Sequence, residues 1–356
     1  MTDTLYDASL LERFAGDLFV AAGLEADKAA AVAHYLCEAD LMGHATHGLA
    51  LAGWYLDGIG SGIMTRSGTP DVVADKGAAV TWRGRRLPGA WLTSEAVKLA
   101  ADRAATYGVG TVVIGDSHHI GALAAYLSIA TDRGLMVSIY SSSPSGAQVA
   151  PFGGTRGVYT PDPAAHGIPT PDDPILIDIS ASITTVNMSQ YMASRGRQFE
   201  HDWLFDAEGR PSRDPAVLEQ GGTLAPTGGR DHGQKGYGMA LHVEALTQGL
   251  AGYGRADAPK GTNASVTVQV FDPALFGGAE AYLRQTGWLA DACLANPPVP
   301  GGDPVRLPGQ RALALKRQAL ASGVQLREGI IESLKPHAER LGVSMPAPHQ
   351  QQRAAR

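Results

Sequence analysis

The feature that most constrains this chain is helical periodicity at both ends with an alternation of strands and helices between them. From Ser9 to Gly60 apolar residues recur at three- and four-residue spacing: Leu10, Leu11, Phe14, Leu18 and Phe19, then Ala30, Val32, Ala33 and Leu36, then Leu49, Trp54, Tyr55 and Ile59. Such spacing predicts amphipathic helices. The stretch from Arg311 to Leu341 returns to the same pattern. Between the two ends the sequence predicts strands at Val72–Val73, Ala79–Trp82, Thr111–Ile114, Leu135–Ser141, Ile175–Ile179 and Ser265–Phe271. It predicts helices at Trp91–Tyr107, Gly121–Asp132, Thr185–Ser194, Gly236–Leu250 and Ala279–Ala295. Residues 143–174 are Gly/Pro-rich and expected as a loop, and Phe199–Arg230 is turn-rich. Strand–helix alternation gives an α/β layer. Helices at both ends imply a discontinuous first domain, residues 1–117 completed by 297–356, around a second domain of residues 118–296.

A chain of 356 residues holds two or three structural units at roughly 100–200 residues each. With 44% hydrophobic and 18% charged residues it buries a core and is not disordered. The formal net charge is -6, and the only basic block is the Arg353–Arg356 tail, so no nucleic-acid partner is expected. Cys37 and Cys293 form no CxxC and no disulfide framework. The acidic start Met1–Asp7 lacks the features of a signal peptide, and no apolar run approaches the ~18 residues of a membrane span. The expected location is the cytoplasm, with no membrane partner.

Four constellations could carry chemistry. In Gly43-His44-Ala45-Thr46-His47-Gly48 two histidines three apart share a helical face, but no carboxylate or cysteine at ligand spacing completes a metal site. The bland alternative is a helix stop and start, with Thr46 as N-cap and Gly48 as a tight backbone point. Asp116-Ser117-His118-His119-Ile120-Gly121 follows a strand and precedes a predicted helix, a place where ligands collect in open α/β sheets. Histidine there suits proton delivery to a carbonyl oxygen as hydride reaches the carbon; a structural pair is the competing reading. The run Ser141-Ser142-Ser143-Pro144 to Gly154 could line a pyrophosphate or be a surface loop, and neither a GxGxxG nor a P-loop accompanies it. In Gly228 to Gly238, Lys235 falls in the first turn of a helix, where a cation is unfavourable unless it meets an anion. Its glycines would let the backbone approach a ligand, or would simply make a flexible loop.

Taken together, these segments resemble the type 2 malate/L-lactate dehydrogenase family, which also includes ureidoglycolate and sulfolactate dehydrogenases and Δ1-piperideine-2-carboxylate reductases. The family's SHG, SNHFG, APFGG, GTNP, DxAxS and GGxKGYG elements occur in order as Thr46-His47-Gly48, Ser117 to Gly121, Ala150 to Gly154, Thr160-Pro161-Asp162-Pro163, Asp178 to Ser182 and Gly228 to Gly238. The closing PGE is Pro308-Gly309-Gln310. The resemblance covers nearly the whole chain. It implies a non-Rossmann NAD(P)-binding fold with a discontinuous helical domain, an NAD(P)-binding domain at 118–296, and a homodimer. It implies catalytic His119 as acid/base with His47 beside the nicotinamide. Thr46, His47, Ser143, Asp178, Ile179, Ser180 and Lys235 become contacts for NAD or NADP, and no metal is involved.

Departures from the family pattern bear on the substrate. The arginine four residues after the SHG histidine, a carboxylate clamp by its chemistry, is Leu51 here, and leucine cannot replace a bidentate guanidinium. The asparagine before the catalytic histidine is His118, the GTNP asparagine is Asp162, and a lysine about ten residues after the cofactor aspartate is Met188. Either another cation, with His118 and Arg195 as the candidates, holds the substrate carboxylate in place of residue 51, or the substrate lacks one there. The expected reaction interconverts a small 2-oxo acid and its 2-hydroxy acid, with reduction of a cyclic imine as the alternative within the family. Outside it stand a non-catalytic binding protein on the same scaffold and a metal-dependent hydrolase using His44, His47, His118 and His119.

Overall fold

A computed structural model describes residues 4–348; the basic tail at 353–356 lies outside the described residues. The chain opens with β1 (Leu5–Tyr6) and three helices, α1 (Ala8–Ala21), α2 (Ala26–Leu41) and α3 (Ala52–Gly60). Asp7 caps α1 by accepting from the Leu10 N–H, which satisfies one of the free donors of the first turn. The predicted stripe Leu11, Phe14, Leu18 and Phe19 is buried against α2, and burial of each such side chain contributes about 1.5–3 kcal/mol.

The middle of the chain builds one seven-stranded sheet. Its strands are β2 (Asp71–Asp75), β3 (Ala79–Arg83), β4 (Val109–Ser117), β5 (Met136–Ser142), β6 (Ala164–Ile168), β7 (Ile175–Ile179) and β11 (Ala264–Phe271), in the order β2-β3-β4-β11-β5-β6-β7. Only β3 and β4 pair in parallel; every other pair is antiparallel. Helix α4 (Gly89–Tyr107) covers β4 and β11, and the short α5 (Ser128–Thr131) lies over β5 and β6. Because β11 runs antiparallel between β4 and β5, and β6 runs antiparallel between β5 and β7, the C-terminal ends of β4, β5 and β7 share one edge.

A second, smaller core holds Val149, Tyr159, Phe199, Leu204 and Leu224. Around it lie α6 (Val186–Ser194), a three-stranded sheet of β8 (Leu204–Phe205), β9 (Pro211–Ser212) and β10 (Thr223–Leu224), α7 (Gly229–His232) and α8 (Gln234–Glu244). The chain then passes through β11 and α9 (Ala279–Leu294) to α10 (Gln310–Ser322), β12 (Val324–Gln325) and α11 (Ile330–Leu341). The last elements return to the first ones: β12 pairs with β1, α10 packs on α2, and α11 packs on α1 and α3. No described helix is long and apolar enough to cross a membrane, and Cys37 and Cys293 are free thiols.

Two sequence expectations are corrected. Residues Gly121–Asp132 are not one helix: a 3-10 turn at Leu123–Tyr126 precedes α5. Gly121 has a left-handed backbone, φ 75°, and the Ala124 N–H is taken by the Asp178 carboxylate at 2.9 Å. The Gly/Pro-rich stretch contains β6, whose Ala-Ala-His-Gly-Ile sequence carries little strand propensity; its place between β5 and β7 supplies the pairing. The turn-rich stretch contains the three two-residue strands. The seven-stranded sheet joins β4, which ends at Ser117, to β11 and β5.

Candidate active site

The turn between β4 and residue 121 brings His119 to the shared sheet edge, with α3 alongside. Gly89, the first residue of α4, makes this fit possible: a Cβ there would stand 2.2 Å from the His118 carbonyl oxygen and 2.5 Å from that of His119. Any side chain at position 89 would displace the backbone that carries the imidazole.

His119 is half-buried and its Nδ1 meets two groups. The Tyr55 hydroxyl lies 2.7 Å away, and the Gly121 N–H donates to it at 3.3 Å. An N–H can only donate, so Nδ1 accepts and the neutral ring carries its proton on Nε2. Among the described residues Nε2 has no protein hydrogen-bond partner. Tyr55 has a second option, since its hydroxyl also reaches the His119 carbonyl oxygen at 3.3 Å. It can therefore donate to Nδ1, or donate to that carbonyl while accepting from a protonated Nδ1. Burial, then the neighbouring His47 and His118, push the His119 imidazole down to about 3. The ring is thus neutral near pH 7.

His47 faces His119 with ring centroids 6.2 Å apart and planes 23° from parallel. Thr46 Oγ1 and His47 Nδ1 are 2.9 Å apart, and burial with His44 nearby pushes His47 down to about 4. Thr46 is not a helix N-cap. The carboxylate of Asp40, at the end of α2, accepts from the Leu49 N–H at 2.7 Å instead, and so anchors the turn bearing Thr46 and His47. Asn187 of α6 donates to the Thr46 carbonyl oxygen at 3.4 Å, which ties the smaller core to this turn. Trp54, 44% exposed, sits 5.3 Å from His119 between ring centroids.

The remaining candidates lie along the same edge. Ser143, just beyond β5, donates through its hydroxyl to the Asn263 carbonyl oxygen at 2.9 Å. At the end of β7, Asp178 uses one carboxylate oxygen for Ala124, while Ile179 is 46% exposed and Ser180 donates to the Ser182 carbonyl oxygen at 2.7 Å. Burial pushes the Asp178 carboxyl up, and His44 and the Ala124 N–H oppose that shift. The glycine-rich loop is stapled to this segment: Thr227 N–H donates to the Ala181 carbonyl oxygen at 2.7 Å and Thr227 Oγ1 to that of Ser180 at 3.0 Å. Gly236 serves this packing rather than a ligand, because a Cβ there would stand 2.4 Å from the Ala181 carbonyl oxygen. Lys235 is exposed in the first turn of α8, with no hydrogen bond or ion pair among the described residues.

Three substrate candidates take different places. Leu51 is 8% exposed within the main core. His118 is 1% exposed, wedged against Trp54 and Tyr55, and burial pushes it down to about 4; a neutral, enclosed imidazole cannot serve as the cation considered for it. Arg195 follows α6 at the surface and pairs with Glu328 at 3.5 Å. Among the described residues, the four histidines of the hydrolase reading included, no group of three His, Cys, Asp or Glu is placed to hold a metal ion. Sequence reasoning missed Tyr55, Asp40 and Asn187. Tyr55 carried a signal, since a tyrosine at a core position of a helix must find a partner for its hydroxyl.

Known proteins resemble this chain along nearly its whole length. The L-lactate dehydrogenase of Cupriavidus necator is 29% identical over 351 residues, covering 94% of this chain and 97% of that protein. The (2R)-3-sulfolactate dehydrogenase (NADP(+)) of Chromohalobacter salexigens is 32% identical over 334 residues, covering 89% and 93%. Among solved structures, malate dehydrogenase from Entamoeba histolytica superposes with a TM-score of 0.91 at 21% identity, over 96% of this chain and 99% of that one, which shows the shared fold. The family model described as malate/L-lactate dehydrogenase matches residues 6–335, and the chain belongs to that family of NAD(P)-dependent oxidoreductases.

Proposed function

We propose that this protein interconverts a small 2-oxo acid and its 2-hydroxy acid with NADH or NADPH, and that His119 is the general acid/base. The observation that carries the reading is the imidazole of His119 at the sheet edge, held through Nδ1 by Tyr55 and Gly121, with Nε2 free to meet a substrate oxygen. The residues along the edge fit a dinucleotide: among the described residues Lys235 is a cation without a partner and Asp178 keeps one carboxylate oxygen free, while Thr46 and His47 lie beside His119.

A bound reduced nicotinamide would supply the hydride. In the reducing direction His119 gives the Nε2 proton to the substrate oxygen as the carbon receives hydride, so a C–H and an O–H bond form and the carbonyl π bond is lost. The acid form is imidazolium, which burial disfavours in the free protein. An anionic substrate in the cleft supplies the missing negative charge and raises the imidazole toward neutrality. Tyr55 accommodates the extra proton by turning its hydroxyl to the His119 carbonyl oxygen and accepting from Nδ1. In oxidation the same groups run in reverse.

The test is fluorescence titration with NADH and NADPH followed by an absorbance screen of small 2-oxo acids, with and without amine. Turnover of 2-oxo acids without amine is expected; turnover only with amine would assign imine reduction instead. Absence of binding by either nucleotide would remove the oxidoreductase reading.

We also infer a homodimer, working in the cytoplasm. Around α9, Phe276, Trp288 and Leu289 are 64%, 68% and 53% exposed, beside an apolar hollow of about 410 Å³ lined by Met136, Phe271 and Tyr282. Apolar patches of this kind mark association surfaces. Light scattering on the purified chain should give twice the monomer mass of 37.1 kDa.

A further inference from the structure

With Leu51 in the core, His118 neutral and enclosed, and Arg195 paired at the surface, the cleft still lacks a cation for a substrate carboxylate. The segment after β12 carries one. Leu326 is 2% exposed in the core, and the next residue, Arg327, is half-buried. Its guanidinium lies 4.1 Å over the ring of Tyr191. Among the described residues it forms no hydrogen bond and no salt bridge.

Tyr191 and Asn187 stand four residues apart on α6 and so share a helix face. Asn187 reaches the Thr46 carbonyl oxygen, so the face on which Arg327 stacks is the one turned toward the Thr46–His47 turn. Arg327 is also near enough to Asp40 to act on its carboxyl electrostatically. Asp40 in turn holds the Leu49 N–H, two residues beyond His47. The guanidinium thus stacks on the face of α6 that is tied to the segment carrying His47 and Leu51. A half-buried guanidinium that no described carboxylate engages in a hydrogen bond or ion pair has lost hydration without the directional partners its donors can take. Stacking on an aromatic face orients its plane and leaves its N–H donors free.

We propose that Arg327 is the specificity-determining cation of this enzyme, holding the carboxylate of the substrate in place of the guanidinium absent at position 51. The assignment rests on the 2-oxo acid reading given above. The ligand class is a small carboxylate anion, held by paired N–H donors as in arginine–carboxylate forks. Arg195, at 5.8 Å from the same Tyr191 ring, keeps Glu328 as its partner and is the internal control.

The experiment uses the full chain and oxalate as an unreactive carboxylate probe, titrated by thermal shift and by quenching of bound NADH or NADPH fluorescence. Wild type should bind oxalate, Arg327→Gln about 10- to 100-fold more weakly, and Arg327→Lys in between, since lysine keeps the charge and loses the fork. Arg195→Gln should stay within about twofold, and nucleotide binding should be unchanged in all variants. Turnover of the best 2-oxo acid in the Arg327 variants should fail through KM more than through kcat. Oxalate affinity in Arg327→Gln within about twofold of wild type, or no oxalate binding by nucleotide-loaded wild type, overturns the assignment. If Arg327→Gln does not fold, equal affinity of Arg327→Lys and wild type overturns it. Loss of nucleotide binding by wild type itself would instead defeat the reading on which the assignment rests.

Discussion

The Tyr55 hydroxyl lies 2.7 Å from His119 Nδ1 across a separation of 64 residues. This contact joins a helix of the N-terminal layer to the histidine at the sheet edge, and it leaves the other ring nitrogen for chemistry. Tyr55→Phe removes the one group able to accept from a protonated Nδ1, while the Gly121 N–H remains and opposes that proton. We expect kcat to fall about tenfold or more, from the loss of roughly 1.4 kcal/mol or more of support for the acid form. The kcat–pH profile should change shape, and the nucleotide dissociation constant should not move. An unaltered profile would assign Tyr55 a packing role only.

His119→Gln should lower kcat about 10²- to 10⁴-fold, the usual contribution of a positioned proton donor. Nucleotide binding measured by fluorescence should persist, because the glutamine fills the site without an ionisable proton. Turnover retained within about tenfold would remove His119 from the acid/base role.

The two stacked histidines also set an acid limit on stability. Burial pushes His119 down to about 3 and His47 to about 4, both below the ordinary value of 6.5. Between that value and their folded values the unfolded chain binds more protons, so this contribution is complete above about pH 6.5 and is lost as pH falls toward 3. Melting temperature should decline below about pH 6.5, and more shallowly in His119→Gln. Parallel pH curves for the two proteins would contradict this.

Asp162 behaves in the opposite sense. It is 1% exposed, accepts from Thr160 Oγ1 at 2.6 Å, and faces Glu244, which Arg255 engages at 2.7 Å. Burial, then the Glu244 charge, push its carboxyl up to about 8. The folded state therefore holds a proton that the unfolded state releases above about 3.8, and stability declines as pH rises from there toward 8. Asp162→Asn, which restores the amide of the family pattern and does not titrate, should melt above wild type at pH 8, with the gap closing toward pH 5. Differential scanning calorimetry at both values decides it; a constant gap would place the effect in packing rather than ionisation.

Much of this architecture is legible from local pattern. The spacing of Leu11, Phe14 and Leu18 sets the buried face of α1, and the apolar run Thr111–Ile114 becomes the interior of β4. The ordered motifs name the edge residues His119, Asp178 and Ser180. What local pattern misses is whatever depends on a distant partner. Residues 164–168 have poor strand propensity and become β6 because two neighbours pair with them. Residues 121–132 have helical periodicity, yet Asp178 captures the Ala124 N–H and the segment breaks into shorter turns. Thr46 has the chemistry of an N-cap, and Asp40, nine residues before Leu49, does the capping.

The sequence by itself determined the helical ends, the strand–helix alternation, the membership carried by six ordered motifs, and the loss of an arginine at position 51. Those properties follow from side-chain type and near-neighbour spacing, which do not depend on how the chain closes. Only the tertiary structure decided that Tyr55 meets His119, that His118 is enclosed and neutral, and that Arg327 from the far end of the chain stacks on Tyr191 of α6. Each of these is a choice of partner across a long separation, fixed by sheet order and by the return of the C-terminal segment onto the N-terminal helices.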